Sequence, residues 1–155
     1  MSLSGKDPCH HELSRPRDRV YTLPRIGLMD ERRPENAADD TYALYTRGIE
    51  LLENGDFAAA TVPLGKVASR EPEKSSVREA LGRALFRSRR FKEAAAEFEA
   101  VVERYPTNDF AHFCLGRALD LTGRSEGARR HLAIAANLRP DREDYRIYRQ
   151  RLRAS

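Results

Sequence analysis

The fold is decided by residues 75–108, which read SSVREALGRALFRSRRFKEAAAEFEAVVERYPTN. Apolar residues recur at helical spacing on both sides of the polar stretch Ser88-Arg89-Arg90, and Pro106 ends the second run. The stretch therefore predicts two consecutive amphipathic helices joined by a short turn. The sequence Ser76-Val77-Arg78-Glu79 has the form of a capping box and is expected to open the first helix.

The same pattern occurs three times without a gap, in windows 41–74, 75–108 and 109–142. Two of the shared columns hold small residues, which allow the paired helices to approach closely. An isolated pair leaves an apolar face uncovered, so successive pairs must stack, and about three are needed for stability. The columns shared by all three windows are Gly48, Gly82, Gly116; Ala60, Ala94, Ala128; and Pro72, Pro106, Pro140.

This period resembles the tetratricopeptide repeat (TPR), whose 34-residue pattern is W-x2-L-G-x2-Y, then A-x3-F, then P. The second window contains Leu81-Gly82-x2-Leu85, Ala94-x3-Phe98 and Pro106, and the third contains Leu115-Gly116-x2-Leu119, Ala128-x3-Leu132 and Pro140. The resemblance covers residues 41–142. It implies an all-α fold of three helix-turn-helix repeats in a right-handed superhelix, whose first helices line a concave side that binds extended or helical peptides.

The first window departs from the pattern at two places. Arg47 stands where the pattern has an apolar residue. Pro63 and Gly65 lie inside the expected second helix, where proline costs about 3 kcal/mol and glycine about 1 kcal/mol relative to alanine. We therefore predict a kink or an early break in that helix.

Two segments flank the repeats. Residues 143–155 place Tyr145, Tyr148 and Leu152 on one helical face among arginines, which predicts a C-terminal capping helix. Residues 1–40 contain four prolines and no helical period, which predicts an extended arm rich in Pro and Arg. Its one apolar island, residues 20–29, is interpreted as a partly collapsed tail, as a cover for the open edge of the first repeat, or as a segment that docks in the chain's own groove.

The composition narrows the function classes. A net charge of +4 on 155 residues names no partner by itself. The sequence has no apolar run long enough to span a bilayer and no pattern of a secretory signal, so we expect a cytoplasmic protein without membrane contact. It also lacks GxSxG, HExxH, phosphate-binding glycine loops and GxGxxG, so we expect no catalysis and no cofactor.

Metal binding has one candidate segment, Cys9-His10-His11, since thiolate and imidazole suit zinc or copper. The other candidate ligands, Cys114, His112 and His131, are predicted on helices, where packing roles are the simpler interpretation. We therefore expect no metal site.

The resemblance assigns a set of groove residues to the first helices. Arg83 and Arg117 occupy matching places about 10 Å apart, which suits acidic side chains or a terminal carboxylate. The Lys and Asn set of the family's carboxylate clamp is absent, so chaperone C-terminal tails are not implied. The alternative is a solvated arginine pair neutralised by local acids. The full set is Tyr42, Tyr45, Ile49, Glu79, Arg83, Phe86, Arg87, Phe110, Phe113, Arg117 and Asp120.

Two functions follow as hypotheses. The first is an adaptor or scaffold that holds a partner protein or peptide, acidic in one version, in the repeat groove. The second is an accessory protein that binds RNA, DNA or a ribonucleoprotein through its arginine-rich C-terminal end, with salt-sensitive affinity. The arginines concerned are Arg139, Arg142, Arg146, Arg149, Arg151 and Arg153.

Overall fold

The computed structural model describes residues 36–154, which form seven α-helices and no strand. Three pairs follow one another along the chain: α1 (Asn36–Glu53) with α2 (Phe57–Arg70), α3 (Ser75–Arg87) with α4 (Phe91–Arg104), and α5 (Asp109–Leu121) with α6 (Ser125–Leu138). A last helix, α7 (Glu143–Ala154), covers the third pair. Each helix contacts mainly its neighbours in sequence, as in a solenoid, so the predicted all-α repeat array is confirmed.

The N-terminal predictions fall largely outside this region. The apolar island 20–29 and Cys9-His10-His11 lie outside the described residues. The helix α1 begins at Asn36, five residues before the first 34-residue window.

The repeated glycines lie where the two helices of each pair touch. A Cβ atom on Gly82 would stand 2.9 Å from Cζ of Phe98, and one on Gly116 would stand 2.7 Å from Cγ of Leu132. Gly48 meets Leu64 in the same way, at 2.5 Å. These distances are shorter than any normal carbon contact, so the small residues are required for the close approach that the sequence predicted.

The departure at Arg47 lies on the face of α1 that corresponds to the stacking faces of α3 and α5. In the second and third pairs, the places that face the preceding pair hold buried small or apolar residues. In α1 the same places are exposed, and Arg47 pairs there with Glu50 at 3.7 Å. Among the described residues, this face of α1 is therefore more polar and more exposed than the equivalent faces of α3 and α5. The places concerned are Ala43, Thr46, Arg47, Glu50 in α1; Val77, Ala80, Leu81, Ala84 in α3; and Ala111, Cys114, Leu115, Ala118 in α5.

Two local predictions were wrong. The helix α2 runs through Pro63 and Gly65 to Arg70 without the expected break. Pro63 is buried together with Leu64 and Val67, so packing of this face outweighs the lost hydrogen bond. The capping box at Ser76 is also absent, because α3 begins at Ser75 and no side chain caps it.

The capping helix α7 continues the 34-residue register. Its inward side chains, Tyr145, Tyr148, Arg149 and Leu152, occupy the stacking places of the earlier first helices. Tyr145 is fully buried; its ring stacks on Phe113 at 4.5 Å between centroids, and its hydroxyl donates to Oδ2 of Asp109 at 2.9 Å. The predicted cap is therefore confirmed, and α7 takes the place of the first helix of a fourth repeat. No helix in the described region is long and apolar enough to cross a membrane.

The turn inside the second pair holds Arg89 in the left-handed region, with φ of 64°. The equivalent residues in the other two turns are Gly55 and Gly123, with φ of 85° and 78°. A residue with a side chain loses about 1–2 kcal/mol of stability in this conformation. Glycine avoids that strain, but its greater conformational freedom in the unfolded chain offsets part of the gain. We expect Arg89→Gly to raise the free energy of unfolding by about 0.5–1 kcal/mol in urea titrations.

Ser88→Gly is the matched control for that substitution. Ser88 has φ of −87°, and its hydroxyl donates to the carbonyl oxygen of Ala84 at 2.8 Å. Glycine at this neighbouring position gains nothing and loses a hydrogen bond, so we expect it to lower stability. If Arg89→Gly were destabilising too, backbone strain at Arg89 would be refuted.

Candidate functional site

The first helices share one face, built from side chains at matching places of the 34-residue period. One column of this face contains Ile49, Arg83, Arg117 and Arg151, one from each of α1, α3, α5 and α7. We call the whole face the groove face. It comprises Tyr42, Tyr45, Ile49, Glu79, Arg83, Phe86, Phe110, Arg117, Asp120, Ile147, Tyr148 and Arg151.

Aromatic rings hold the arginines of α5 and α7. The guanidinium carbon of Arg117 lies 5.0 Å from the ring centroid of Phe86 and 4.6 Å from that of Tyr148. The guanidinium carbon of Arg151 lies 5.5 Å from the same Tyr148 ring. A cation over an aromatic face is stabilised by about 0.5–2 kcal/mol. These contacts join α3, α5 and α7 into one continuous surface.

Arg83 and Glu79 lie half-buried one helical turn apart on α3. The Nε atom of Arg83 is buried and has no hydrogen-bond partner within the described residues. Burial raises the pKa of the Glu79 carboxyl, while the hydrogen bond from Asn108 and the charge of Arg83 act in the opposite direction. Asn108 Nδ2 donates to Oε1 of Glu79 at 2.6 Å, and Asn108 also caps α5. Glu79 therefore joins the second pair to the third.

Three of the predicted groove residues are placed differently from our expectation. Phe113 is completely buried between Tyr145 and Tyr148, and Phe86 is 5% exposed beneath Arg117 and beside Phe91. Both rings therefore support the surface and cannot be anchors for a partner. The guanidinium of Arg87 lies over the ring of Phe57, 4.2 Å from its centroid, at the beginning of α2. There it lines a shallow pocket at the turns.

The remaining predicted residues are accessible in varying degree. Tyr42 is 73% exposed, and Asp120 is exposed as well. Tyr45, Ile49 and Phe110 are half-buried and leave apolar surface between the charged groups.

Sequence reasoning missed the contribution of α7 to this face. Ile147, which is 40% exposed, occupies the same place in the 34-residue period as Tyr45, Glu79 and Phe113. Arg151 occupies the same place as Arg117. The signal was the unbroken 34-residue period, which continues past residue 142.

The three candidate metal ligands on helices, Cys114, His112 and His131, are packed inside the repeat array. Cys114 is completely buried. Nδ1 of His112 lies 2.9 Å from Nδ1 of His131, and Nε2 of His112 donates to the carbonyl oxygen of Pro106 at 2.9 Å. This chain of hydrogen bonds links α5, α6 and the turn before α5. Nowhere between residues 36 and 154 do three or more His, Cys, Asp or Glu side chains gather as a metal site.

Several arginines near the C-terminal end are engaged internally. Arg139 forms two hydrogen bonds with Asp141, at 2.9 and 2.8 Å, and Arg142 forms two with Asp144, at 3.0 and 2.7 Å. The guanidinium of Arg142 also lies 4.7 Å from the centroid of the Tyr145 ring. These contacts reduce the charge that this end presents to a polyanion.

Stacked helical pairs with a side-chain face running along the first helices define a repeat solenoid. The family model described as tetratricopeptide repeat matches residues 45–109 and 79–144, which together make up most of the chain. The chain belongs to the tetratricopeptide repeat family, as the sequence pattern predicted. Arrays of this kind are protein-interaction scaffolds with extended binding surfaces. No curated protein matches the chain.

Solved structures agree with this assignment. The chain is similar to MamA residues 41–end from Desulfovibrio magneticus RS-1, with 26% identity and a TM-score of 0.72, over 77% of this chain and 68% of that one. A MamA RS-1 double mutant gives 26% identity and a TM-score of 0.73, over 77% and 67%. The first TPR of Spaghetti (RPAP3), solved bound to the HSP90 peptide SRMEEVD, shares 16% identity and the fold, with a TM-score of 0.69 over 75% and 92%.

Proposed function

We propose that this protein is a non-catalytic adaptor that holds a peptide segment of a partner protein against the groove face. The observation that carries the proposal is the continuous surface from Phe86 through Arg117 to Tyr148 and Arg151. It combines fixed cations with half-buried apolar side chains, and interfaces favour arginine and aromatic residues of this kind. A helical scaffold also holds these groups in place before binding, which reduces the entropic cost of association.

The peptide complex of the Spaghetti repeat supports this use of the fold. The chemistry differs here, because the cations of the groove face are arginines backed by aromatic rings. We therefore do not carry the HSP90 peptide over to this chain.

The N-terminal island 20–29 enters the proposal as a competitor for the same face. Six residues, 30–35, separate it from the start of α1, and an extended chain spans about 3.3–3.6 Å per residue. That length of about 20 Å allows the island to reach the neighbouring first helices. In this version a partner must displace the island before it can bind.

Affinity capture with the full chain tests the proposal. The natural chain is compared with Arg83→Glu/Arg117→Glu and with a control, Lys92→Glu/Arg129→Glu, in which both replaced residues are exposed on second helices. We expect one protein to be retained by the natural chain and the control and lost by the groove-face variant. A chain lacking residues 1–35 should retain more of it if the island competes.

Circular dichroism must first show that both double variants are folded. Equal retention by all three chains would exclude the groove face as the binding site. Retention of nuclease-sensitive material would instead favour the arginines of the C-terminal end.

A further inference from the structure

The turns inside the helical pairs lie along one edge of the array, and a shallow pocket opens between each turn and the next. The larger pocket, of about 540 Å³, lies between the first and second turns and is lined by residues 55–59 and 87–89. We call it the turn pocket. The smaller one, of about 390 Å³, lies between the second and third turns. Arg89 lines both pockets.

Arg89 has a backbone conformation that its side chain makes unfavourable. It occupies the same place in its turn as Gly55 and Gly123, and all three have positive φ. In the three turns, the backbone N–H at this place donates to the carbonyl oxygen three residues earlier, at 3.3, 3.1 and 3.0 Å. Glycine therefore makes the same turn without strain. A strained residue whose side chain the turn does not require indicates a function for that side chain.

The side chain of Arg89 is exposed and available to a partner. It forms no hydrogen bond or ion pair with another residue in the described part of the chain. The next residue, Arg90, is instead held by two hydrogen bonds to Glu93, at 2.8 and 2.5 Å. The lining of the turn pocket contains one acid, Asp56. The pocket therefore offers a cation that has no internal partner.

The turn pocket also offers apolar surface. The ring of Phe57 is half-buried, and the guanidinium of Arg87 lies over it at 4.2 Å from the centroid. Ala58 and Ala59 are exposed beside this ring. An apolar side chain that covers these groups gains free energy in proportion to the apolar area removed from water. The pocket thus combines an apolar surface with the free cation of Arg89.

We infer that the turn pocket is a docking site, separate from the groove face, for a short acidic segment of a partner protein. A carboxylate of that segment pairs with Arg89, and a neighbouring leucine or phenylalanine covers Phe57 and Ala58. This role explains why arginine stands where the turn favours glycine. A single carboxylate fits beside Asp56, whereas a nucleic-acid strand carries a phosphate on every nucleotide and would meet that acid.

Two pentapeptides that differ in one group test the role of the carboxylate. The first is acetyl-Gly-Leu-Glu-Leu-Gly-amide, and the second has Gln in place of Glu, which removes the charge and keeps the shape. Each peptide is titrated at low salt into the ¹⁵N-labelled full chain, and the amide signals of residues 55–59 and 87–89 are followed by NMR. We expect the Glu peptide to shift these signals and to bind at least about threefold more tightly than the Gln peptide.

Two substitutions of Arg89 separate binding from folding. Arg89→Gln removes the charge and keeps a side chain, whereas Arg89→Gly also relieves the backbone. We expect both to weaken the Glu peptide at least about threefold, although Arg89→Gly makes the fold more stable. Arg124→Gln is the control, because Arg124 is exposed on the third turn and lines neither pocket. A merely structural role of Arg89 would not produce a more stable chain that binds less tightly.

The inference is overturned if the Glu peptide shifts none of these signals, if the two peptides bind equally, or if Arg124→Gln weakens binding as much as Arg89→Gln. Tighter binding of a nine-nucleotide single-stranded RNA at the same signals would refute the acidic-peptide class.

The groove-face variant Arg83→Glu/Arg117→Glu separates this inference from the proposed function. We expect it to bind the Glu peptide like the natural chain, because neither residue lines the turn pocket. Loss of the peptide in this variant would place the peptide on the groove face and overturn the inference. If the capture experiment fails while the peptide results hold, only the proposed function fails.

Discussion

Replacing Gly82 by leucine is expected to lower the free energy of unfolding by more than about 2 kcal/mol. A Cβ atom alone would lie 2.9–3.1 Å from three ring atoms of Phe98, which is completely buried. Phe98 is buried together with Ala94 and Val101 on the same helix, so its ring has little free space to move into. The larger side chain must therefore push α3 away from α4, and urea titration followed by circular dichroism measures the cost.

Gly65→Ala is the matched control on α2. Gly65 also lies inside a helix, but nothing stands within 4 Å of a Cβ atom placed there. Alanine should raise the free energy of unfolding by about 0.5–1 kcal/mol, because it restricts the unfolded chain without a steric cost. An undetectable shift for Gly82→Leu, or equal shifts for the two variants, would contradict the close-packing role of the three glycines that recur every 34 residues.

The second large effect concerns pH. Burial, together with the charges of His112 and Arg130, lowers the pKa of His131 to about 4 from its usual value of 6.5. The unfolded chain then binds more protons than the folded chain below about pH 6.5, so stability is complete above that pH and falls as the pH approaches 4. By this linkage, we expect the free energy of unfolding to drop between pH 7 and 5, by on the order of 1 kcal/mol because solvent screens part of the effect.

His131→Asn isolates that contribution. The asparagine amide can donate to His112 near the place of Nδ1, so the hydrogen bond at 2.9 Å is approximated without a titrating group. Unfolding is measured in urea at several pH values for both chains. The variant should lose most of the drop between pH 7 and 5, while an unchanged pH dependence would show that His131 does not cause it.

The array of repeats was predictable because its determinants are periodic in the sequence. The close approach of paired helices needs a small residue at one fixed place, and Gly48, Gly82 and Gly116 reveal that place without any structure. The uninterrupted helix through Pro63 was not predictable, because it depends on burial against neighbouring helices. Intrinsic helix propensity does not include the stabilisation that such packing provides. The exposure of Arg47 was likewise not predictable from the sequence pattern alone, because it follows from knowing that the equivalent residues Leu81 and Leu115 stack on a preceding pair.

The sequence predicted which positions of the first helices form the candidate site, but it did not predict which of their side chains are exposed. The period assigned Arg83 and Arg117 to one face, yet it could not distinguish an aromatic anchor from an aromatic support. Phe113 is covered because α7 supplies Tyr145 above it, and this depends on the packing of a helix beyond the three windows. The same helix adds Arg151 and Ile147.

The central claim, that a partner binds on the groove face, is tested most directly by photocrosslinking. A benzoylphenylalanine is placed at Tyr42, which is 73% exposed on the groove face of α1, or at Val62, which is 60% exposed on α2. The two positions are similarly exposed and differ in the surface they occupy. After irradiation of each full chain with the captured partner, we expect a covalent adduct from position 42 and none from position 62. An adduct from position 62 alone would contradict it.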